Sequence, residues 1–129
     1  MSQRLQKIGY DQRRIKRGHI YSRIDRVLIP FPFSGLSQSK LRPAVVLADA
    51  GKNDWVLCQV TSKPYADSRA VRIDTSDFSG GSLKVVSYAR PGKLFTANSS
   101  LIVKNVGDLR RETVQDIVSA VVTLLQDGT

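Results

Sequence analysis

The 129-residue sequence predicts a mainly β fold, a small twisted barrel with one helix packed on it at the C-terminal end. Three observations lead there. Short apolar runs rich in β-branched residues recur roughly every 8–12 residues, separated by Gly, Pro, Ser and Asn/Asp clusters. Only the last segment changes to helical spacing. The length suits one domain with one modest core.

The chain opens on a basic stretch. Residues 1–26 carry eight Lys/Arg against two acids, a net +6 out of the total +9. Leu5, Ile8, Tyr10 and Ile15 show no sustained helical spacing. Residues 1–23 therefore read as a flexible basic extension, and residues 24–129 as the folded domain. VLIPFPF (27–33) is β-rich, with Pro30 and Pro32 at alternate positions, which suits a strand edge or a bulge. SGLSQSK (34–40) reads as a loop, PAVVLA (43–48) as a strand, DAGKND (49–54) as a turn and WVLCQVTS (55–62) as the next strand.

KPYADS (63–68) is a second loop, and AVRID (70–74) alternates as a half-buried strand does. SDFSGG (76–81) breaks the chain, LKVVSYAR (83–90) is a strand, PGK a tight turn, and LFTANSSLIVKNVG carries one or two further strands. Val114, Ile117, Val118, Val121, Leu124 and Leu125 then form one apolar helical stripe, with Asp108 placed as its N-cap.

Several function classes drop out. No apolar stretch approaches the ~20 residues a membrane helix needs. No apolar run follows the basic N-terminus as in a secretory signal. The single cysteine, Cys58, sits in an apolar run and reads as a small core residue. These features predict a cytoplasmic protein without membrane association. The sequence has no CxxC pair, HExxH or His/acid cluster, so no metal site is expected. It has no phosphate-binding glycine loop, so no nucleotide cofactor is expected. His19, the one histidine, falls in the basic extension and reads as a solvated side chain. The remaining inventory of Arg, Lys, Ser and Thr suits a phosphodiester. Guanidinium presents a planar fork to two phosphate oxygens and keeps its charge. A basic surface attracts polyanions by counterion release.

The stretches PFPFSGLSQSKLRPAVVLAD, CQVTS, SDF–G–L (76–83), ARPGKLFT and LIVKNVGDL occur in that order before the helix. Together they resemble the PemK/MazF family of toxins from bacterial toxin–antitoxin pairs, over about residues 24–126. The resemblance implies an SH3-like barrel that forms a homodimer. It implies a metal-independent endoribonuclease that cuts single-stranded mRNA at a short sequence, leaving 2′,3′-cyclic phosphate and 5′-hydroxyl ends and inhibiting growth. It also implies an acidic antitoxin partner. Carried over position by position, the catalytic pair is Arg42 in KLRPAVV and Thr61 in QVTS, with Arg90 in SYARPGKL as a further basic position and Lys93 nearby.

The 34–40 loop would be the RNA-contacting flap, through Ser37, Gln38, Ser39 and Lys40, with Ser62 assisting Thr61. Phe33, Tyr65 and Tyr88 are candidates for base stacking. The family usually opens its barrel with a Gly-Asp pair followed by an apolar strand, where this chain has Ile24-Asp25-Arg26, which keeps the Asp and lacks the glycine. Two other functions fit the same fold: a non-catalytic nucleic-acid-binding module, and a toxin that poisons DNA gyrase.

Overall fold

The structure, a computed structural model, describes residues 15–28, 37–64 and 66–128. Seven strands make one antiparallel sheet that curls into a half-barrel, in the order β4-β6-β3-β2-β1-β7-β5. In chain order they are β1 (His19–Leu28), β2 (Ser37–Gly51), β3 (Asp54–Thr61), β4 (Val71–Ile73), β5 (Phe78–Gly81), β6 (Ser87–Asn98) and β7 (Ile102–Leu109). One helix, α1 (Arg111–Asp127), follows.

Side chains of a strand alternate between faces, and β2 sorts its residues accordingly. Val45 and Leu47 join Ile20, Cys58, Val60, Ile73 and Ala89 in the cluster that receives Val114 and Ile117 of α1. Ala44 and Val46 join Ile15, Leu57, Ala97 and Ile102 in a second cluster on the other face, against which Trp55 and Phe95 pack. The sheet is therefore apolar on both faces along its middle, which is why PAVVL reads as a continuous apolar run. Each fully buried aliphatic side chain adds about 1.5–3 kcal/mol.

The turn between β2 and β3 meets its backbone demands locally. Lys52 and Asn53 take φ of 54° and 67°, as a two-residue turn matched to strand twist requires. Asp49 Oδ1 accepts the Gly51 N–H at 2.7 Å. At the other end of the sheet, a Cβ on Gly107 would lie 2.7 Å from the Phe78 ring, so glycine there lets β5 and β7 approach.

Several elements differ from the sequence expectation. β1 starts at His19, inside the stretch read as an extension, and Ile15 is already buried. HIYSRIDRVL pairs with β2 from Ile20 to Leu28, and that pairing outweighs the charge density that suggested a tail. The residue before β1 is Gly18, with φ +92°, and it is followed by His19, so the first strand opens on Gly-His upstream of Ile24-Asp25-Arg26. Ser37, Gln38, Ser39 and Lys40 are backbone members of β2, paired with Leu28 to Asp25, and do not form a loop. Pro91-Gly92-Lys93 is no turn. It forms a bulge inside β6, between the pairs Cys58↔Leu94 and Val60↔Ala89, with Pro91 buried.

β6 begins only at Ser87, because Lys84 at φ 70° breaks the preceding run. Asp108 lies in β7, and the N-cap of α1 is Arg110, which makes no side-chain cap bond. Within the stripe, Leu125 is 67% exposed. Phe33, Tyr65 and the 1–14 stretch lie outside the described residues.

Candidate functional site

Arg42 and Thr61 come from adjacent strands. The β2–β3 register passes through Val46↔Leu57, Val45↔Cys58 and Ala44↔Gln59. Continued by two residues, it brings Arg42 across from Thr61. Pro43 has no N–H to donate, which ends the hydrogen-bonded ladder between them. On the next strand Thr61 pairs with Tyr88, and Tyr88 in turn pairs with Arg72 of β4. On the opposite flank Arg23 of β1 is the Cα partner of Arg42. One paired row across the sheet thus runs Thr61, Tyr88, Arg72, and the extended register sets Arg42 at its β2 end.

Alternation fixes the face. Val45, Val60, Ala89 and Ile73 point into the cluster under α1. Arg42, Thr61, Tyr88 and Arg72 are out of phase with them and point to the other face. Farther along, that face is sealed by Ala44, Val46 and Leu57. At this end it turns polar: Arg42, Gln59, Thr61, Tyr88 and Arg90 are half-buried and Arg72 is exposed. The arrangement is a polar shelf next to an apolar wall, able to hold a flat ring beside an anion.

The Thr61 hydroxyl is oriented by its own turn. It donates to the Lys63 carbonyl and accepts the Lys63 N–H, both at 3.1 Å. A hydroxyl has one donor and two lone pairs, so one lone pair remains for a substrate hydroxyl. Ser62 and Lys63 continue from Thr61 and are exposed. Arg90 follows Tyr88 by two residues on the same side of β6, and its Nε donates to Asp67 Oδ2 at 3.0 Å. That hydrogen bond holds the Asp67 carboxyl below the usual range, against the opposing pull of burial and with help from the Arg69 N–H. Arg69 in turn reaches Asp127 at the end of α1, at 2.7 Å. The loop after Thr61 is therefore latched to β6 and to the helix. Arg72 bonds Asp74 at 2.7 Å.

Lys93 is exposed on the β6 bulge, beyond Arg90 and outside the row. The side-chain positions of Ser37, Gln38, Ser39 and Lys40 are outside the described set, though their backbone is placed next to β1. Arg72 was missed in the sequence because β4 is three residues long and only its register connects it to Thr61. No group of three His, Cys, Asp or Glu that could hold a metal ion occurs among the described residues. No described helix is long and apolar enough to cross a membrane.

His19 is not solvated. It is 7% exposed, and its Nε2 lies 3.0 Å from Asp108 Oδ1. Burial pulls the imidazole below its ordinary value, Asp108 pulls it up and Lys16 pulls it down again.

With this geometry in hand, the comparisons are specific. The family of PemK-like, MazF-like toxins of type II toxin–antitoxin systems matches residues 16–125. Among solved structures, the chain resembles an endoribonuclease from Mycobacterial species, with TM-score 0.63 and 17% identity over 87% of this chain and 91% of that one. It resembles a chain of the MazE–MazF crystal structure (form II) from Deinococcus radiodurans, with TM-score 0.66 and 18% identity over 87% and 96%. A third is an endoribonuclease in complex with its cognate antitoxin from Mycobacterial species, with TM-score 0.61 and 16% identity over 87% and 95%. At these identities the likeness is one of fold. No curated protein matches the chain in sequence.

Proposed function

Because the chain belongs to the family of PemK-like, MazF-like toxins of type II toxin–antitoxin systems, we propose that it is an endoribonuclease that cuts single-stranded mRNA in the cytoplasm without a metal ion. The observation that supports this reading is the register of β2 against β3, whose last pair, Ala44↔Gln59, lies two residues from Arg42 and Thr61, together with the pairing of Thr61 with Tyr88. Solved structures of the same fold are endoribonucleases.

In the proposed reaction the ribose 2′-hydroxyl attacks the adjacent phosphorus. The O2′–P bond forms and the P–O5′ bond breaks. The 2′-hydroxyl loses its proton and the leaving O5′ gains one, giving a 2′,3′-cyclic phosphate and a 5′-hydroxyl. Arg42 holds the phosphate and stabilises the extra negative charge of the pentacovalent state. The remaining lone pair of Thr61 accepts the 2′-hydroxyl and aligns it for attack. Tyr88 offers its ring to a neighbouring base, as single strands are read by stacking. Arg90, Ser62 and Lys93 supply further contacts to the RNA backbone, and the β1–β2 strands that carry Ser37, Gln38, Ser39 and Lys40 supply others. The partners of this reading are a second copy of the chain and an acidic antitoxin that folds over the RNA face. Complexes of this fold with a cognate antitoxin support the latter.

The test is cleavage of a long single-stranded RNA in EDTA, beside Arg42→Ala, with the 5′ ends mapped. Discrete cuts ending in 5′-hydroxyls, made by the wild type only, are expected. Intact RNA with both proteins would leave a binding module, and intact RNA with impaired supercoiling by gyrase would leave a gyrase poison.

A further inference from the structure

A cavity of about 360 Å³ lies away from the Arg42–Thr61 row, where the start of β1, the end of β7 and the first turns of α1 meet. Measured along β1, it begins four residues from Arg23, the partner of Arg42, or roughly 13 Å of strand. Its rim is cationic from two independent segments: Lys16 and Arg17 lead into β1, and Arg111 opens α1. Its floor is apolar, formed by the buried Leu109 and Val114. The exposed Ser79 and Gln115 share the rim, and the His19–Asp108 pair stands below it; these groups can both donate and accept.

We infer that this cavity binds a nucleotide unit, with the phosphate at Lys16, Arg17 and Arg111 and the base against Leu109 and Val114. The chemistry of the lining matches the parts of such a ligand. Three cations exceed the single carboxylate, so the rim favours an anion. Asp108 and Gln115 match sugar hydroxyls and a base edge, which a bare anion would leave unused. The volume lies within the range of small-molecule sites, roughly 300–1,000 Å³, and is larger than inorganic phosphate needs. Residues 1–14 carry four Lys/Arg against one acid, so charge opposes that stretch as the occupant. The site does not depend on the ribonuclease reading, because Arg42 and Thr61 are not part of it.

Two sources carry this chemistry: a free mononucleotide, and the phosphorylated end of an RNA chain. The chain has a single histidine, and it lines the cavity, so the ring signals of His19 report on occupancy without ambiguity. At constant pH the full chain is titrated with AMP, inorganic phosphate and a pentaglutamate peptide while those signals are followed by NMR.

AMP should shift them saturably and bind at least about tenfold more tightly than phosphate. The double variant Lys16→Gln, Arg111→Gln should weaken AMP at least about tenfold with Trp55 fluorescence unchanged, whereas Arg42→Ala should bind AMP as the wild type does. A short 2′-O-methyl RNA with a 5′-phosphate that displaces AMP assigns the RNA end as the source, and failure to displace assigns the free nucleotide. Unmoved His19 signals would overturn the proposal. So would phosphate or pentaglutamate matching AMP, or an unchanged affinity in the double variant.

Discussion

Arg90 Nε donates to Asp67 Oδ2 at 3.0 Å, and both side chains are largely withdrawn from solvent, 19% and 17% exposed. The pair fixes the loop that starts at Thr61 against the strand that carries Tyr88. It also places the guanidinium of a proposed RNA contact next to a carboxylate of the same chain, so an RNA phosphate would meet an arginine already aimed and held.

Removing that carboxylate should therefore lower stability. Asp67→Asn is expected to lose about 1–2 kcal/mol, read as a lower urea midpoint with unchanged slope. The pH dependence has a fixed sign. The folded-state pKa of Asp67 is depressed, first by the Arg90 hydrogen bond, so its contribution is fully present above the unfolded carboxylate value. It is lost as pH falls through the folded value. The gap in midpoint between wild type and Asp67→Asn should be constant near neutrality and close in acid. A gap that widens in acid would contradict the pairing.

The catalytic assignment separates binding from chemistry. Arg42→Ala should lower kcat by about 10²–10³-fold, the usual effect of deleting one donor to a developing anion. Thr61→Val, which keeps the β-branched shape, should lower cleavage while leaving the affinity for 2′-O-methyl RNA near wild type. Full cleavage by either variant in a gel assay would remove that residue from the mechanism.

The row beyond Thr61 predicts two different effects on binding. Tyr88→Ala should weaken single-stranded RNA by about 1–3 kcal/mol, the range of a base–aromatic stack, and Tyr88→Phe should not. Arg72→Gln should act through phosphate alone, reducing the slope of log K against log salt by about 0.7. Fluorescence anisotropy across a salt series reads both.

Cys58 is fully buried, and burial pushes its thiol up to about 12. Iodoacetamide at pH 8 should leave the native protein unmodified and alkylate it fully in urea, as mass spectrometry would record. Rapid native labelling would mean that β3 and β6 separate readily around Arg90, whose carbonyl accepts the Cys58 Sγ–H at 3.1 Å.

Arg110 caps α1 with an extended backbone and no side-chain bond. Arg110→Ser supplies the missing acceptor for the first N–H groups and should raise stability by about 0.5–1 kcal/mol. Thermal unfolding measures it, and a lowered midpoint would show that Arg110 has another structural role.

The parts of the fold that could be read from the sequence were those set by local period and turn chemistry. The alternation in AVRID and the i, i+3, i+4 spacing from Val114 onward each matched an element. What escaped was set by partners far along the chain. PGK looks like a turn until the register of β3 against β6 makes it a bulge. Ser37–Lys40 looks like a loop because its polar residues carry no apolar period, yet β1 pairs with its backbone. His19 looked solvated because its neighbours are basic, whereas Asp108, which holds it, is far away in sequence. The site followed the same division. Arg42 and Thr61 came from motifs, but their relation to Tyr88 and Arg72 exists only in the strand order.

Residues 24–28 and 37–41 pair only with each other among the described residues, since β7 leaves β1 at Arg23 and β3 joins β2 only at Ala44. This two-stranded ribbon extends past the body of the sheet, and a lone pair of strands is marginal in water. Its amides should exchange with solvent far sooner than those of Val45 or Cys58. A ribbon that pairs with nothing else can also change its sequence without disturbing the core, whose residues lie in other parts of the sheet.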